Sequence, residues 1–173
     1  FLPTFLRTDD GAAAAEMLMV TPMLIILMFG SVELGNFFLT QHAVTKQVRD
    51  GARFASRLTL AETYACPGNV FEDADANTKI INVTRTGSVD GNAASRFAAD
   101  FWSACAGSAN PVAVSIRCVD KTGYGGIYTS LADDIPVVMV SANVTYPSFF
   151  GALGFNTAAL CTRAESEAAV AGL

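Results

Sequence analysis

Charge is scarce in this sequence: Asp, Glu, Lys and Arg make up 16% of the 173 residues. That is well below the usual quarter or so, and it implies that part of the surface faces lipid or another protein. Histidine occurs once, at His42, with no acid or second ligand beside it. The four cysteines include no Cys-x-x-Cys pair, which leaves zinc ligation without support. There is no nucleophile elbow, and Gly123-Tyr124-Gly125-Gly126 lacks both the Lys-Ser/Thr and the following helix of a phosphate loop. The expectation is a protein with no catalytic residues, no metal and no cofactor. A net charge of -5, with no basic cluster beyond scattered arginines on one helix, argues against nucleic acid as a partner.

Apolar residues are abundant, at 51% with a mean hydropathy of +0.38. The length allows one ordinary domain and one appended element. Phe1–Gly11 carries Pro3, Arg7, Asp9 and Asp10, lacks the basic start and long apolar middle of a secretory signal, and reads as a leader or cytoplasmic flank (1–11). Since the chain begins at Phe1 rather than Met, residues upstream of it are expected. From Met17 to Val32 no charge occurs. Glu16 and Glu33 bracket this run roughly 25 Å apart at the helical rise, slightly short of the hydrocarbon thickness, so Ala12–Ala15 or Leu34–Leu39 must complete a transmembrane helix over 12–39. One of the two glutamates then sits in or at the edge of the apolar layer, where an unpaired ionisable group costs about 2.5 kcal/mol or more. Both are candidates for intramembrane contacts, and both can also be simple interface markers. Pro22 removes one backbone donor inside the run, and the Thr21 hydroxyl is expected to serve the carbonyl this frees. Ser31 and Gly35 form a small-x-x-x-small pair that permits close approach of another helix.

The helical pattern continues past the apolar run. Val44, Val48, Ala52, Ala55 and Leu58 recur at spacings of three and four, opposite Lys46, Asp50, Arg53 and Arg57. With no proline between Pro22 and Pro67, one helix is expected from about Ala12 to about Thr63. Beyond Cys66-Pro67-Gly68, Asp73, Asp75 and Asn77 begin like a calcium loop, but Thr78 and Thr84 stand where its glycine and its bidentate glutamate belong. A helix start is the better reading, with Ala76, Ile80, Ile81 and Val83 on its apolar face and Gly87 and Gly91 closing it. A second amphipathic helix is expected over Ala94–Cys105. The period then changes to two. Val112–Cys118 and Val138–Tyr146 read as strands, Gly123–Tyr128 as a turn with a short strand, Phe155–Glu165 as a final strand, and Ala168–Leu173 as a tail. The fold class is α+β: a long N-terminal transmembrane helix continuing into a soluble domain (40–173), with a small antiparallel sheet packed on it.

Cys66, Cys105, Cys118 and Cys161 all lie beyond the apolar run. Their even number beside a membrane span reads as two disulfides in an oxidising compartment, against the alternative of four buried free thiols in the cytosol. Three pairings are possible. Cys66 with Cys105 and Cys118 with Cys161 is favoured, because the last two fall on stretches that read as strands of one sheet.

Arg7–Glu16, then Pro22, then Gly30-Ser31-Val32-Glu33-Leu34-Gly35, then Val48–Ala55 together resemble the N-terminal signature of TadE-like proteins, minor pilins or pseudopilins of the tight adherence (Flp-type) pilus machinery. The tail from Val144-Thr145-Tyr146-Pro147 to Glu165 is similar to the closing strands of that family. The resemblance implies a pilin-like fold and cleavage by a prepilin peptidase between Gly11 and Ala12. Glu16 would become the fifth residue of the mature chain and pair with a neighbouring subunit's new N-terminal amine in the membrane. It also implies a bacterial inner-membrane protein whose partners are the lipid bilayer and other transmembrane helices. Only Arg7 precedes the span while Lys46, Arg49, Arg53 and Arg57 follow it, so the positive-inside rule alone would put the C-terminal domain in the cytoplasm. The cysteines and the resemblance place it in the periplasm, with the N-terminus cytoplasmic. A pilin-like structural role is therefore expected, with an accessory single-span subunit of a larger inner-membrane complex as the alternative. An anchored periplasmic enzyme is disfavoured by the missing catalytic motifs.

Overall fold

The computed structural model describes residues 9–95, 97, 99–130, 134–152, 154 and 159–172. The fold is α+β, a long N-terminal apolar helix followed by a domain with two small antiparallel sheets. The chain divides into two compact units, Phe1–Phe38 and Leu39–Leu173. Helix α1, Asp9–Ala55, contributes to both.

Within the second unit, α1 is amphipathic. Thr40, Val44, Val48, Ala52 and Ala55 are buried along one stripe, whereas His42, Lys46, Arg49, Asp50 and Arg53 are exposed on the other side. Each fully buried valine contributes about 1.5–3 kcal/mol relative to an exposed one, so this stripe determines which face of the helix turns inward. It joins a core that includes Ile80, Ile116, Val138, Val140, Val144 and Val170.

The helix stops at Ala55, short of the expected Thr63, because its last carbonyls find other donors. The buried Tyr64 hydroxyl donates to the Ala55 carbonyl at 2.6 Å, and the Ala171 amide donates to Ser56 at 2.9 Å. A short helix α2, Leu60–Thr63, follows. Strands β1, Tyr64–Ala65, and β2, Val70–Phe71, then form a two-stranded hairpin around Cys66-Pro67-Gly68.

Helix α3, Ala76–Thr86, forms where an acid-rich start was expected. The Asp73 carboxylate accepts from the Asp75 amide at 2.9 Å and from Lys79 Nζ at 3.1 Å, and these contacts hold its pKa below the ordinary value, the amide being the larger cause. Ala76, Ile80 and Thr84 are its buried face. Gly87, at φ 77°, closes it in the left-handed conformation that favours glycine. No second amphipathic helix follows among the described residues. Ala99–Trp102 is one 3-10 turn, held by an aromatic cluster in which Phe97 stacks on Phe101 at 3.9 Å and Trp102 meets Phe101 edge-on. Aromatic packing at spacings of one and four satisfies these side chains without a full helix.

The main sheet is antiparallel with order β3-β4-β5, comprising Val112–Val119, Ile135–Thr145 and Cys161–Ala169. Gly126–Ser130 is a 3-10 turn rather than a strand. The final strand starts at Cys161 and extends past Glu165 to Ala169, absorbing the start of the expected tail; residues 155–158 of that expectation lie outside the described ones. Alternation along β4 buries Val138, Val140, Ala142 and Val144 on the face that carries the core.

Candidate functional site in the first helix

The predicted processing and contact residues all fall on the apolar end of α1. Gly11 and Ala12 lie inside the helix, which begins at Asp9, and Glu16 follows one turn later, exposed. From Met17 to Val32 the large apolar side chains are 47–80% exposed. A run that is apolar all round and uncovered by its own chain is unfavourable in water, with a surface well beyond the few hundred Å² that soluble monomers tolerate. Its most apolar 18-residue window has a mean hydropathy of 2.0 and no buried residue. By length and composition this helix can cross a membrane.

Pro22 sits within the continuous helix. The Thr21 hydroxyl donates to the Met17 carbonyl at 2.6 Å. This differs from the expected role, because a proline at 22 releases the carbonyl four residues back, that of Leu18. Thr21 makes the ordinary back-bond of a helical threonine. Ser31 likewise turns its hydroxyl to the Met28 carbonyl at 2.8 Å, leaving its outer surface small. At Gly35 a β-carbon would meet nothing within 4 Å, so this face is open to a neighbouring helix. Glu33 is half-buried and Glu16 is exposed.

The disulfide expectation is half corrected. All four cysteines are bonded, but as Cys66–Cys118 and Cys105–Cys161. Cys118 and Cys161 both flank β4, at opposite ends of it: Cys118 faces Pro136 and Cys161 faces Thr145. Nine steps along the strand, roughly 30 Å, separate those positions, far beyond the 7 Å or so between α-carbons that a bridge can span. Cys66 reaches Cys118 because the β1–β2 hairpin leans on the edge of β3, where the Asn69 side-chain carbonyl accepts from the Cys118 amide at 2.8 Å. Cys105 reaches Cys161 because its segment extends the sheet beside the end of β4, with Ala104 bridging Val144 and the Cys105 amide donating to Asn143.

Among the described residues, no three His, Cys, Asp or Glu side chains converge as a metal site. An open cleft of about 360 Å³ is lined by Tyr124, Tyr128 and the Arg117–Glu167 ion pair of 3.2 Å. Both charges there are spent on each other.

Residues 11–53 match the family model of TadE-like proteins. The resemblance noted for the N-terminal motif therefore holds, and the match contains Gly11, Ala12, Glu16, Pro22, Ser31, Glu33 and Gly35. It ends at Arg53, so the likeness of Val144–Glu165 to the closing strands of the family rests on those residues alone. No curated protein and no solved structure matches the chain. The TadE-like segment includes one residue whose importance the pattern of charges and apolar residues does not disclose: Gly51, which on helix propensity alone is a mild weak point. Its place on the buried stripe, three residues after Val48 and next to Ala52, was the available signal.

Proposed function

We propose that this chain is a non-enzymatic, membrane-anchored component of a tight-adherence pilus assembly machine, acting as a pilin-like subunit. The uncovered apolar half of α1, coinciding with the TadE-like segment, carries the reading. In it α1 spans the bacterial inner membrane over 12–39, with the N-terminus cytoplasmic and residues 40–173 in the periplasm, an oxidising compartment that suits two disulfides. A prepilin peptidase cuts after Gly11. The Glu16 carboxylate then meets the amine of Ala12 on a neighbouring subunit, since a carboxylate in lipid is tolerable when a cation neutralises it. The open Ser31–Gly35 face lets a partner helix approach.

N-terminal sequencing of the protein isolated from membranes tests this directly. A mature chain starting at Ala12 is expected, with loss of assembly in Glu16→Ala. A chain that keeps Gly11 on its N-terminal side would overturn the pilin-like role in favour of a permanently anchored subunit. Reduction of intact cells followed by a membrane-impermeant thiol label tests orientation: unlabelled cysteines would refute the periplasmic placement.

A further inference from the structure

Past Leu39, the outward face of α1 is lined by one sign of charge. Lys46, Arg49 and Arg53, with Arg57 in the turn that follows, succeed one another at spacings of three and four and all are exposed. They sit opposite the buried stripe of Val44, Val48 and Ala52. Like charges at these spacings repel one another along a helix, and only Asp50 interrupts them. None forms an ion pair among the described residues, where the pairs are Lys79–Asp73 and Arg117–Glu167.

The chain nevertheless carries a net charge of -5, so its surface outside this stripe is strongly acidic. Four of the acids, Glu62, Glu72, Asp73 and Asp75, fall close together in sequence, on α2, just after β2 and just before α3. The Glu72 amide donates to the Thr63 carbonyl at 2.9 Å, which sets Glu72 beside the turn bearing Glu62, and Asp75 follows through the Asp73 turn. Glu62, Glu72 and Asp75 are exposed and take part in no ion pair among the described residues, whereas Asp73 is already held by Lys79.

We propose that the basic face of α1 docks on the acidic surface at Glu62, Glu72 and Asp75 of a second copy of this chain. Three of the four cations are arginines, whose planar fork can engage carboxylates in bidentate pairs. Anionic lipid is the poorer occupant. Lys46 lies about 10 Å and Arg57 about 27 Å beyond Leu39 along the helix, against a screening length of about 8 Å, so most of the stripe is out of range of headgroups at the end of the apolar run. Because each copy offers two different patches, the contact is heterologous and propagates from copy to copy unless it closes into a ring. It involves Leu39–Leu173 alone and is independent of cleavage at Gly11.

The test uses the full-length protein in detergent at low ionic strength, with self-association followed by sedimentation. The wild type should associate, and Arg49→Glu/Arg53→Glu and Glu72→Lys/Asp75→Lys should each weaken association by about tenfold or more. All the substituted side chains are exposed, so unchanged thermal unfolding is the check on folding. The two reversed variants, mixed, should pair one to one, since the reversed stripe of one copy then faces the reversed acidic surface of the other. A monomeric wild type, a reversed variant that associates like the wild type, or reversed variants that ignore each other would each overturn the proposal. So would unchanged self-association of Arg49→Glu/Arg53→Glu combined with a lost preference for phosphatidylglycerol nanodiscs, which would assign the stripe to lipid.

Discussion

Gly51 of α1 lies so close to Thr84 of α3 that a β-carbon at position 51 would overlap the Thr84 hydroxyl and stand 3.2 Å from the Thr84 β-carbon. The hydroxyl cannot swing away freely, because it donates to the Ile80 carbonyl at 2.8 Å and is fully buried. A glycine inside a helix ordinarily costs about 1 kcal/mol relative to alanine. Here the missing side chain is what lets the two helices cross.

Gly51→Ala should therefore destabilise the domain by about 1–3 kcal/mol despite its better helix propensity. Thr84→Ala alone should also destabilise, by leaving space. In the double variant the new methyl occupies the room the hydroxyl vacated, so the two effects should be non-additive. Chemical unfolding of all four proteins measures the coupling; additive losses would show that the cost of a β-carbon at 51 does not arise from Thr84.

Tyr64 ties the end of α1 to the hairpin. Its phenol is buried, and burial raises its pKa above the ordinary 10.0. A group whose folded-state pKa is raised contributes stability that is present in full below its unfolded pKa and is lost as pH rises above it. Stability should thus decline above pH 10, and Tyr64→Phe should flatten that decline while costing about 1 kcal/mol at neutral pH for the lost hydrogen bond to Ala55. Unfolding curves at pH 8 to 11 read both effects.

Cys66–Cys118 and Cys105–Cys161 close loops with sequence separations of 52 and 56. By chain entropy each stabilises by about 4 kcal/mol. Replacing either pair with serine should lower the unfolding midpoint clearly, and peptide mapping without reduction should recover these two linkages rather than Cys66–Cys105 and Cys118–Cys161.

The C-terminal segment closes the far end of α1. The Leu60 amide donates to the Gly172 carbonyl at 3.2 Å, and a β-carbon at Gly172 would collide with the Leu58 carbonyl, whose carbon lies 2.7 Å away. Gly172→Val should displace this segment and speed hydrogen exchange at the Leu60 amide, with little change at amides in the middle of β4. Unaltered exchange at Leu60 would mean that the segment adapts.

Local patterns account for the elements that the sequence disclosed. An uncharged run from Met17 to Val32, apolar spacings of three and four at Val44, Val48, Ala52 and Ala55, and alternation along Val112–Cys118 and Val138–Tyr146 are properties of consecutive residues, because the helical and strand periods bring those side chains to one face whatever lies opposite. The TadE-like match over residues 11–53 is legible for the same reason, being a set of spaced residues on one helix. Tertiary structure decided what depends on residues distant in sequence. It ended α1 at Ala55, where Tyr64 supplies a donor to the last carbonyl and Ala171 one to that of Ser56 just beyond. It reduced the expected helix around Trp102 to a single turn, because the aromatic cluster of Phe97, Phe101 and Trp102 buries those rings without one. It paired Cys66 with Cys118 and Cys105 with Cys161, since β4 holds Cys118 and Cys161 at opposite ends. It also turned Gly51 from a weak point of a helix into the contact with Thr84. A spacing rule describes one element, whereas a close approach needs the coordinates of two.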